Sequence, residues 1–198
     1  PEAGLWMTTL IYPHASRPSH TLSLVAGGAI WTALRQLGCS EAKLKWPNDV
    51  EAQGRKLAGI LLEHTQLKSR SNESVVLIGI GLNITAESSL ELPVEIADRY
   101  IGLNDLLPET DYERILKEVL THLEAATAAW ASDGLGPTFA LWDEADALAG
   151  QSVTATGPTG PIDGIARGLA PGGQLRIQTA QGEVLIDAGE VTRLRRQA

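Results

Sequence analysis

Two segments of the chain are apolar at consecutive positions, and they limit what it can fold into more than any other feature. Residues 55–63 are RKLAGILLE and residues 75–84 are VVLIGIGLNI. Alternating apolar and polar residues would give strands with one wet face, whereas continuous apolar runs of this length are typical of strands buried on both faces. We therefore predict two neighbouring strands in the middle of a sheet that helices or other layers cover.

Helical spacing of apolar residues marks three other segments: 22–37, 111–133 and 138–148. Two further short strands are predicted over 5–12 and 43–46. A polar stretch, 64–74, should connect the two apolar strands as a hairpin-like loop. Because strands and helices do not alternate regularly along the chain, the pattern indicates an α+β layered fold.

Glycines punctuate the first predicted helix. Gly38 stands where a left-handed residue would end it. Gly27 and Gly28 lie inside it and each costs about 1 kcal/mol relative to alanine. We therefore expect close packing of this helix against a neighbouring element.

The pattern changes at Gly150. Residues 150–198 carry short β-prone pieces that Gly and Pro turns separate, and no helical period survives. This spacing is typical of a small antiparallel barrel or sandwich. We therefore predict two domains, 1–149 and 150–198. Because a segment of about 50 residues buries too small a core to be stable alone, the second domain should pack on the first.

Composition excludes several classes of function. The net charge of -8 at pH 7 disfavours nucleic-acid binding unless a local basic patch exists. The one cysteine, Cys39, cannot form an internal disulfide and fits a reducing compartment, so we expect a cytoplasmic protein. No apolar run is long enough to span a bilayer. The four histidines show no metal-ligand spacing: His14, His20, His64 and His122.

A short motif, KLKWPNDV over 43–50, brings charge next to a turn. In an extended segment Lys43 and Lys45 share one face, opposite an apolar face. The following turn would place Asn48 and Asp49 within reach of Lys45. Two interpretations remain open: a solvated edge strand with a polar turn, or a place where cations and a carboxylate meet an anionic ligand.

Glycines also interrupt both apolar strands. Gly59 weakens the first, and Gly79 and Gly81 weaken the second, unless something must approach the backbone closely. A buried Asn83 amide without partners would cost about 1–3 kcal/mol, so protein or ligand must satisfy it. The glycine spacing fits neither a Rossmann fingerprint nor a Walker loop, and a structural bulge is the alternative.

Together these features predict a flat cavity for a slim apolar acid and a nucleotide. The floor of this cavity would be formed by Gly59, Gly79 and Gly81. Its rim would be formed by Lys45, Asp49, Lys56 and Asn83.

The motifs KLKWPNDV, GRKLAGILLE and VVLIGIGLNI resemble, in order and spacing, the core motifs of the biotin protein ligases. The likeness continues through GPTFALWDEADALAG and the β-rich tail. The resemblance implies a catalytic domain with a mixed β-sheet layered with helices, and a small C-terminal SH3-like β-barrel. It also implies a two-step reaction. Biotin first reacts with ATP to give biotinyl-AMP and pyrophosphate, and a lysine of a biotin carboxyl carrier domain then takes the biotin.

The same resemblance implies roles for individual residues. Lys56 would be the catalytic group that bridges the biotin carboxylate and the α-phosphate, and Lys45 would hold the ATP phosphates. Asn48 and Asp49 would bind or orient Mg²⁺, with Asp49 as its ligand. Asn83 would reach the nucleotide. The biotin slot would be lined by Gly59, Leu61, Gly79 and Gly81.

The implied partners follow from the same family. The acceptor would be the carrier domain of a biotin-dependent carboxylase. The helix-turn-helix that some relatives carry is not present in this sequence, so we expect no DNA partner, and we expect no membrane partner. An exposed sheet edge would permit a homodimer.

The sequence also departs from the family pattern. Relatives carry, upstream of the first residue here, further biotin-binding strands and an Arg/Gly-rich loop that closes over the intermediate. Without that cover biotinyl-AMP should leak and hydrolyse, because the loop excludes water. We therefore expect either a part of a longer protein or impaired catalysis. The alternatives are a non-catalytic biotin or biotinyl-AMP binder, a lipoate- or octanoyl-transferring relative, and a purely structural piece.

The tail GEVTRLR resembles the family's ending, but its two arginines are out of step with it. We assign Arg193 and Arg195 no role at this point. The expectation is a solvated basic end.

Overall fold

The computed structural model describes residues 4–13, 17–66, 74–85, 99–157 and 160–194. A five-stranded sheet occupies the first part of the chain. Its strands lie side by side in the order β1-β5-β4-β3-β2. In chain order they are β1 (Gly4–Ile11), β2 (Lys43–Lys45), β3 (Asp49–Ala52), β4 (Arg55–Gln66) and β5 (Ser74–Asn83).

All four strand pairings in this sheet are antiparallel. The predicted mixed character is limited, within the described ranges, to two isolated parallel bridges, Leu44 with Asp146 and Lys56 with Tyr100. Short turns connect β2 to β3 and β3 to β4, and such turns can only join antiparallel neighbours. Strand β3 was not expected, because Asp49 starts a strand instead of completing the turn at 46–48.

Three helices cover one face of the sheet: α1 (Leu22–Gln36), α2 (Tyr112–Asp133) and α3 (Gly136–Ala145). Helix α1 packs on the sheet, α2 packs along α1, and α3 contacts both of them. Gly38 ends the first helical segment with a φ of +95°, as predicted. Asp111 caps α2 by accepting hydrogen bonds from the N–H groups of Glu113 and Arg114. The α+β prediction is confirmed.

From Ala58 to Leu61 of β4 the sheet is buried on one face only, so the prediction of strands buried on both faces is wrong there, although Val75 and Val76 of β5 are both buried. Ala58, Ile60 and Leu82 lie under the helices, whereas Leu61 on the other face is 61% exposed. Continuous apolar sequence arises here because the uncovered face also carries apolar residues and glycines. The uncovered face is therefore the place to look for a ligand.

Four of the five tryptophans are buried, and each donates its indole N–H to a protein oxygen. These acceptors are the backbone oxygens of Ala42, Gly173 and Leu24 and the hydroxyl of Thr21. A buried indole without such a partner would be costly, so these bonds fix how the helices meet the sheet. The fifth tryptophan, Trp6, is 70% exposed and lies on the uncovered face.

A second antiparallel sheet follows the helices, in the order β10-β6-β7-β8-β9. Its strands are β6 (Ser152–Gly157), β7 (Gly160–Leu169), β8 (Leu175–Thr179), β9 (Gly182–Ile186) and β10 (Glu190–Arg193). We propose that the domain boundary lies at Gly150, which adopts a φ of +73° between α3 and β6. A β-rich second part was predicted from the turn spacing and is confirmed.

The second sheet packs on the first part of the molecule. The turn between β7 and β8 inserts Gly173 beside Leu24 of α1, and its carbonyl accepts the Trp46 indole N–H at 3.0 Å. At the edge of the sheet that β10 forms, Arg193 reaches Glu51 of β3. The second sheet thus contacts both ends of the segment 46–51.

Within the described part of the chain, no helix combines the length and apolar character that crossing a membrane requires.

The two glycines inside α1 should respond differently to an added methyl group. At Gly27 a Cβ would lie 3.7 Å from Leu44 and Trp142, an ordinary contact, whereas at Gly28 it would come within 3.2 Å of Leu141. Gly27→Ala should therefore raise the free energy of unfolding by about 1 kcal/mol through helix propensity. Gly28→Ala should raise the free energy of unfolding by less, because of the close contact with Leu141. Urea unfolding of both variants measures the difference. A larger gain at Gly28 would contradict this packing.

Candidate active site

A cavity of about 700 Å³ opens on the uncovered face of the first sheet. That volume lies in the range of small-molecule sites. Strands β1, β4 and β5 supply most of its lining, and the turn at 46–48 and the segment at 99–101 supply the rest. The lining residues are Trp6, Met7, Thr8, Asn48, Lys56, Ala58, Gly59, Ile60, Leu61, Gly79, Ile80, Gly81, Asn83 and Tyr100.

One row of paired residues crosses all five strands on this face. Directly paired residues of antiparallel strands share a face of the sheet. Following the pairings from β2 to β1, the row consists of Lys45, Asp49, Gly59, Gly81 and Trp6. A cation, an anion, two positions without side chains and an indole therefore follow one another. The two glycines leave an open stretch between the charged end and the aromatic end.

The next row on the same face continues this floor. It pairs Leu61 with Gly79 and Gly79 with Thr8. A Cβ on Gly79 would lie 3.6 Å from the Leu61 carbonyl oxygen, an ordinary van der Waals contact, so an alanine fits there without displacing its neighbours. By contrast, a Cβ on Gly81 would meet the Trp6 ring at 2.5 Å, and a Cβ on Gly59 would meet the Lys56 side chain at 2.8 Å. Glycine at 81 thus makes room for the Trp6 ring and glycine at 59 for the flexible end of the Lys56 side chain, and both glycines line the cavity.

A β-bulge brings Lys56 into this site. The pairing of β3 with β4 shifts by one residue between Val50 and Glu51, so Glu51 pairs with Lys56 instead of Leu57. Leu57 and Ala58 then both face the core, where they are buried. In an unbroken register Leu57 would have taken the open face. Bulges commonly re-aim a side chain in this way.

Lys56 forms an ion pair with Asp49, with Nζ and Oδ1 2.6 Å apart. The side chains are 39% and 20% exposed, respectively, so the ammonium is held in place and remains accessible from the cavity. Asp49 Oδ1 itself is shielded from solvent. Lys45 does not line the cavity, but by register it lies beside Asp49 on the same face. Of the predicted rim, Lys56 and Asn83 therefore line the cavity, whereas Lys45 and Asp49 lie next to it on the same face of the sheet.

The two asparagines predicted for ligand binding already make structural hydrogen bonds. Asn48 Nδ2 donates to the Ile60 carbonyl at 2.8 Å, which ties the 46–48 turn to β4. Asn83 Nδ2 donates to the Lys56 carbonyl at 3.1 Å and, less closely, to the Ile101 carbonyl at 3.4 Å. Both line the cavity, but the structure identifies them first as residues that fix the backbone around Lys56.

Seven lining residues were not predicted as site residues from the sequence: Trp6, Met7, Thr8, Ala58, Ile60, Ile80 and Tyr100. Trp6 and Thr8 alternate along β1 on the open face, a signal that strand periodicity could have supplied once that face was known. Tyr100 gave no local signal. Tyr100 lies at the cavity because two backbone hydrogen bonds hold the segment 99–101 against Lys56. The Lys56 N–H donates to the Arg99 carbonyl, and the Ile101 N–H donates to the Lys56 carbonyl.

Arg193 is not a solvated basic end, so that expectation is wrong. Its Nη1 donates to Glu51 Oε2 at 3.1 Å, and its Nη2 contacts both Glu51 Oε1 and the Ala147 carbonyl. Burial raises the pKa of Asp146 nearby, and hydrogen bonds from the Leu148 and Ala149 N–H groups and the charge of Arg193 oppose that rise. Arg195 lies outside the described residues.

The described ranges contain no group of three or more His, Cys, Asp or Glu side chains that could hold a metal ion by themselves. Magnesium at nucleotide sites is commonly held by one or two carboxylates together with phosphate oxygens and water. Asp49 is a carboxylate of the kind that such an ion binds, and its Oδ1 is paired with Lys56 in this structure.

Family models match two parts of the chain. The biotin/lipoate A/B protein ligase family matches residues 1–83, and the biotin protein ligase C-terminal domain matches residues 149–193. The second match falls on the β-rich part and the first on the sheet that carries the cavity.

Individual relatives extend over most of the chain. It is 36% identical to the biotin–[acetyl-CoA-carboxylase] ligase of Mycobacterium tuberculosis over 180 residues, which cover 88% of this chain and 62% of that protein. It is 32% identical to the ligase of the same description from Paracoccus denitrificans over 177 residues, 86% of this chain and 71% of that protein. The chain spans about half of the length of several other curated relatives that it matches.

A solved structure gives the same result for the fold. Biotin protein ligase from Aquifex aeolicus in complex with biotin and ATP matches with a TM-score of 0.82 and 28% sequence identity, and the match covers 98% of this chain and 79% of that chain.

The two neighbouring glycines of β5 should behave differently when replaced. Gly81→Ala must move the exposed Trp6 ring, so the tryptophan emission should change, whereas Gly79→Ala makes only ordinary contacts with Leu61 and should leave the emission unchanged. Fluorescence spectra of both variants test this, with Trp6→Phe identifying the Trp6 contribution. Equal spectra for the two variants would mean that the indole does not lie over Gly81.

Proposed function

Because this chain belongs to the biotin protein ligase family, we propose that it activates biotin with ATP and transfers it to a lysine of a biotin carboxyl carrier domain. The observation that carries this proposal is the Lys56 ammonium, ion-paired with Asp49 at the end of a glycine-floored cavity. A narrow apolar acid fits the open stretch, and its carboxylate would reach the charged end.

The first step joins two anions. A carboxylate oxygen of biotin forms a bond to the α-phosphorus of ATP, the bond from that phosphorus to the bridging oxygen breaks, and pyrophosphate leaves. Two unit charges 4 Å apart interact by about 4 kcal/mol at an effective dielectric of 20. A cation between the carboxylate and the phosphate therefore lowers the barrier substantially, because it opposes their repulsion and stabilises the charge that develops. We assign that part to Lys56.

Asp49 would keep the Lys56 side chain extended toward the cavity until the ligands arrive. Their negative charges can then share the ammonium, and Asp49 is released to face Mg²⁺. The ion, when bound, would neutralise part of the phosphate charge. Lys45, on the far side of Asp49 in the same row, would hold phosphate oxygens.

The biotin slot in this proposal is the flat floor between the charged end and Trp6. Gly59, Gly79 and Gly81 keep it open, and Leu61 contributes an exposed apolar wall. Asn83 would contact the nucleotide only through atoms that its bonds to the Lys56 and Ile101 carbonyls leave available. Its main contribution is then to hold the Lys56 backbone.

In the second step the ε-amine of the carrier lysine attacks the acyl carbon of biotinyl-AMP. An amide bond forms, AMP leaves, and the amine proton passes to solvent. The acyl carbon would lie at the open side of the cavity, where a carrier lysine can reach it. The match of residues 149–193 to the biotin protein ligase C-terminal domain favours biotin over lipoate as the acid.

The proposal predicts biotin- and ATP-dependent release of pyrophosphate that requires Lys56. Lys56→Ala should lower the rate by about 100-fold or more, since it removes an electrostatic contact made to the reacting groups. The measurement is an enzyme-coupled pyrophosphate assay with biotin, and with lipoate in its place. Lys117→Ala is the matched control, because this exposed lysine lies on α2 away from the cavity.

Calorimetry with biotin, with and without MgATP, separates the remaining outcomes. Binding that tightens with MgATP supports the ligase. Biotin binding without pyrophosphate release would instead support a non-catalytic binder, and turnover of lipoate in preference to biotin would support the transferase alternative. An unchanged rate in Lys56→Ala would remove this residue from the mechanism.

A further inference from the structure

The segment that carries Asp49 is attached to the second sheet at both ends. On one side the buried Trp46 donates its indole N–H to the Gly173 carbonyl at 3.0 Å. On the other side Glu51 is bound by Arg193. Asp49, which holds Lys56, lies between the two attachments. The proposed chemistry uses neither Glu51 nor Arg193.

The Glu51–Arg193 contact is two-pronged and mostly buried. Both guanidinium Nη atoms meet the Glu51 carboxylate, and Nη2 also donates to the Ala147 carbonyl at 3.0 Å. The Glu51 side chain is 8% exposed and that of Arg193 is 31% exposed. Such a fork fixes orientation as well as charge. Removing one partner would leave the other charge buried without compensation.

The contact lies directly against the bulge that aims Lys56. Glu51 is the residue that pairs with Lys56 across the register shift, and it lies two residues from Asp49 on the same face of β3. A displacement of Glu51 therefore changes the position of Asp49 relative to Lys56. Arg176 and Glu183 form an exposed ion pair within the second sheet, and among the described residues neither lines the cavity.

We propose that Arg193 is a positioning residue: by holding Glu51, the second sheet fixes the β3–β4 bulge and so keeps Lys56 against Asp49 at the cavity. The structural part of this inference stands on the described contacts alone, and its catalytic consequence rests on the proposed function. It gives the second sheet a defined part in the site, although none of its residues lines the cavity.

The test compares Arg193→Gln, Glu51→Gln and the double variant with Arg176→Gln. The control removes an exposed arginine of the same sheet whose partner, Glu183, lies within that sheet. The first readout is the rate at which an amine-acylating reagent labels Lys56, measured by mass spectrometry relative to Lys117. An amine must leave its carboxylate partner before it can attack the reagent, so this ratio reports whether Lys56 is held.

Arg193→Gln should raise the ratio of Lys56 to Lys117 labelling several-fold, and Arg176→Gln should leave it unchanged. The double variant should label no faster than the more affected single variant, because both changes break one contact. Because Lys117 is already exposed, unfolding would also raise this ratio, so the ratio is compared only between variants that circular dichroism shows to be folded. An unchanged ratio in a folded Arg193→Gln protein overturns the proposal.

Turnover supplies the second readout. Arg193→Gln should lower kcat for pyrophosphate release by about 10-fold or more with little change in KM for biotin, since misplacement of a catalytic group by about 1 Å can cost that much. Arg193→Lys keeps the charge without the fork and should be intermediate. It also replaces Arg193→Gln if circular dichroism shows that the latter does not fold.

The two proposals can fail separately. If the unaltered chain releases no pyrophosphate but Lys56 labelling still responds to Arg193→Gln, the proposed function fails and the positioning role stands. If turnover requires Lys56 and neither labelling nor kcat responds to Arg193→Gln, the positioning role fails and the proposed function stands.

Discussion

A shift of one residue in the pairing of β3 with β4 determines which side chain of β4 enters the cavity. In an unbroken register an apolar residue, Leu57, would face the ligand side. With the shift, Leu57 and Ala58 both join the core and Lys56 takes the open face beside Asp49. A lysine so near the middle of a sheet would otherwise be an unfavourable choice, and the carboxylate 2.6 Å away compensates its charge. The remaining features of the site depend on this arrangement.

The polar side chains around Lys56 already make hydrogen bonds to the protein backbone, so their first role is structural. Asn48 ties the preceding turn to β4, and Asn83 ties the Lys56 carbonyl to β5. Building a site on paired strands holds its groups more rigidly than a loop would. The glycines serve the same arrangement in two ways, because Gly79 leaves empty floor whereas Gly59 and Gly81 make room for Lys56 and Trp6. Glycines that looked alike in the sequence thus have different neighbours.

Local patterns were enough to predict most of the elements, the glycine floor and the charged motif. Continuous apolar runs identified β4 and β5, and the turn spacing identified the second sheet, but β3 was not expected. The structural features that the sequence did not predict depend on contacts between distant segments. The bulge follows from how two strands pair, the arrival of Tyr100 follows from backbone bonds to Lys56, and the contact of Arg193 with Glu51 joins residues 142 positions apart. The expected burial of β4 on both faces failed because apolar residues there line a cavity instead of a core.

A crystal structure of the chain with biotin and a non-hydrolysable ATP analogue tests the central claim most directly. The account predicts biotin lying over Gly79 and Gly81 on the uncovered face of the sheet. Its carboxylate should lie within hydrogen-bond distance of Lys56 Nζ, about 3 Å, with the α-phosphate on the other side of that nitrogen. Biotin bound elsewhere, or bound over the glycines with Lys56 directed away from both anions, would contradict it.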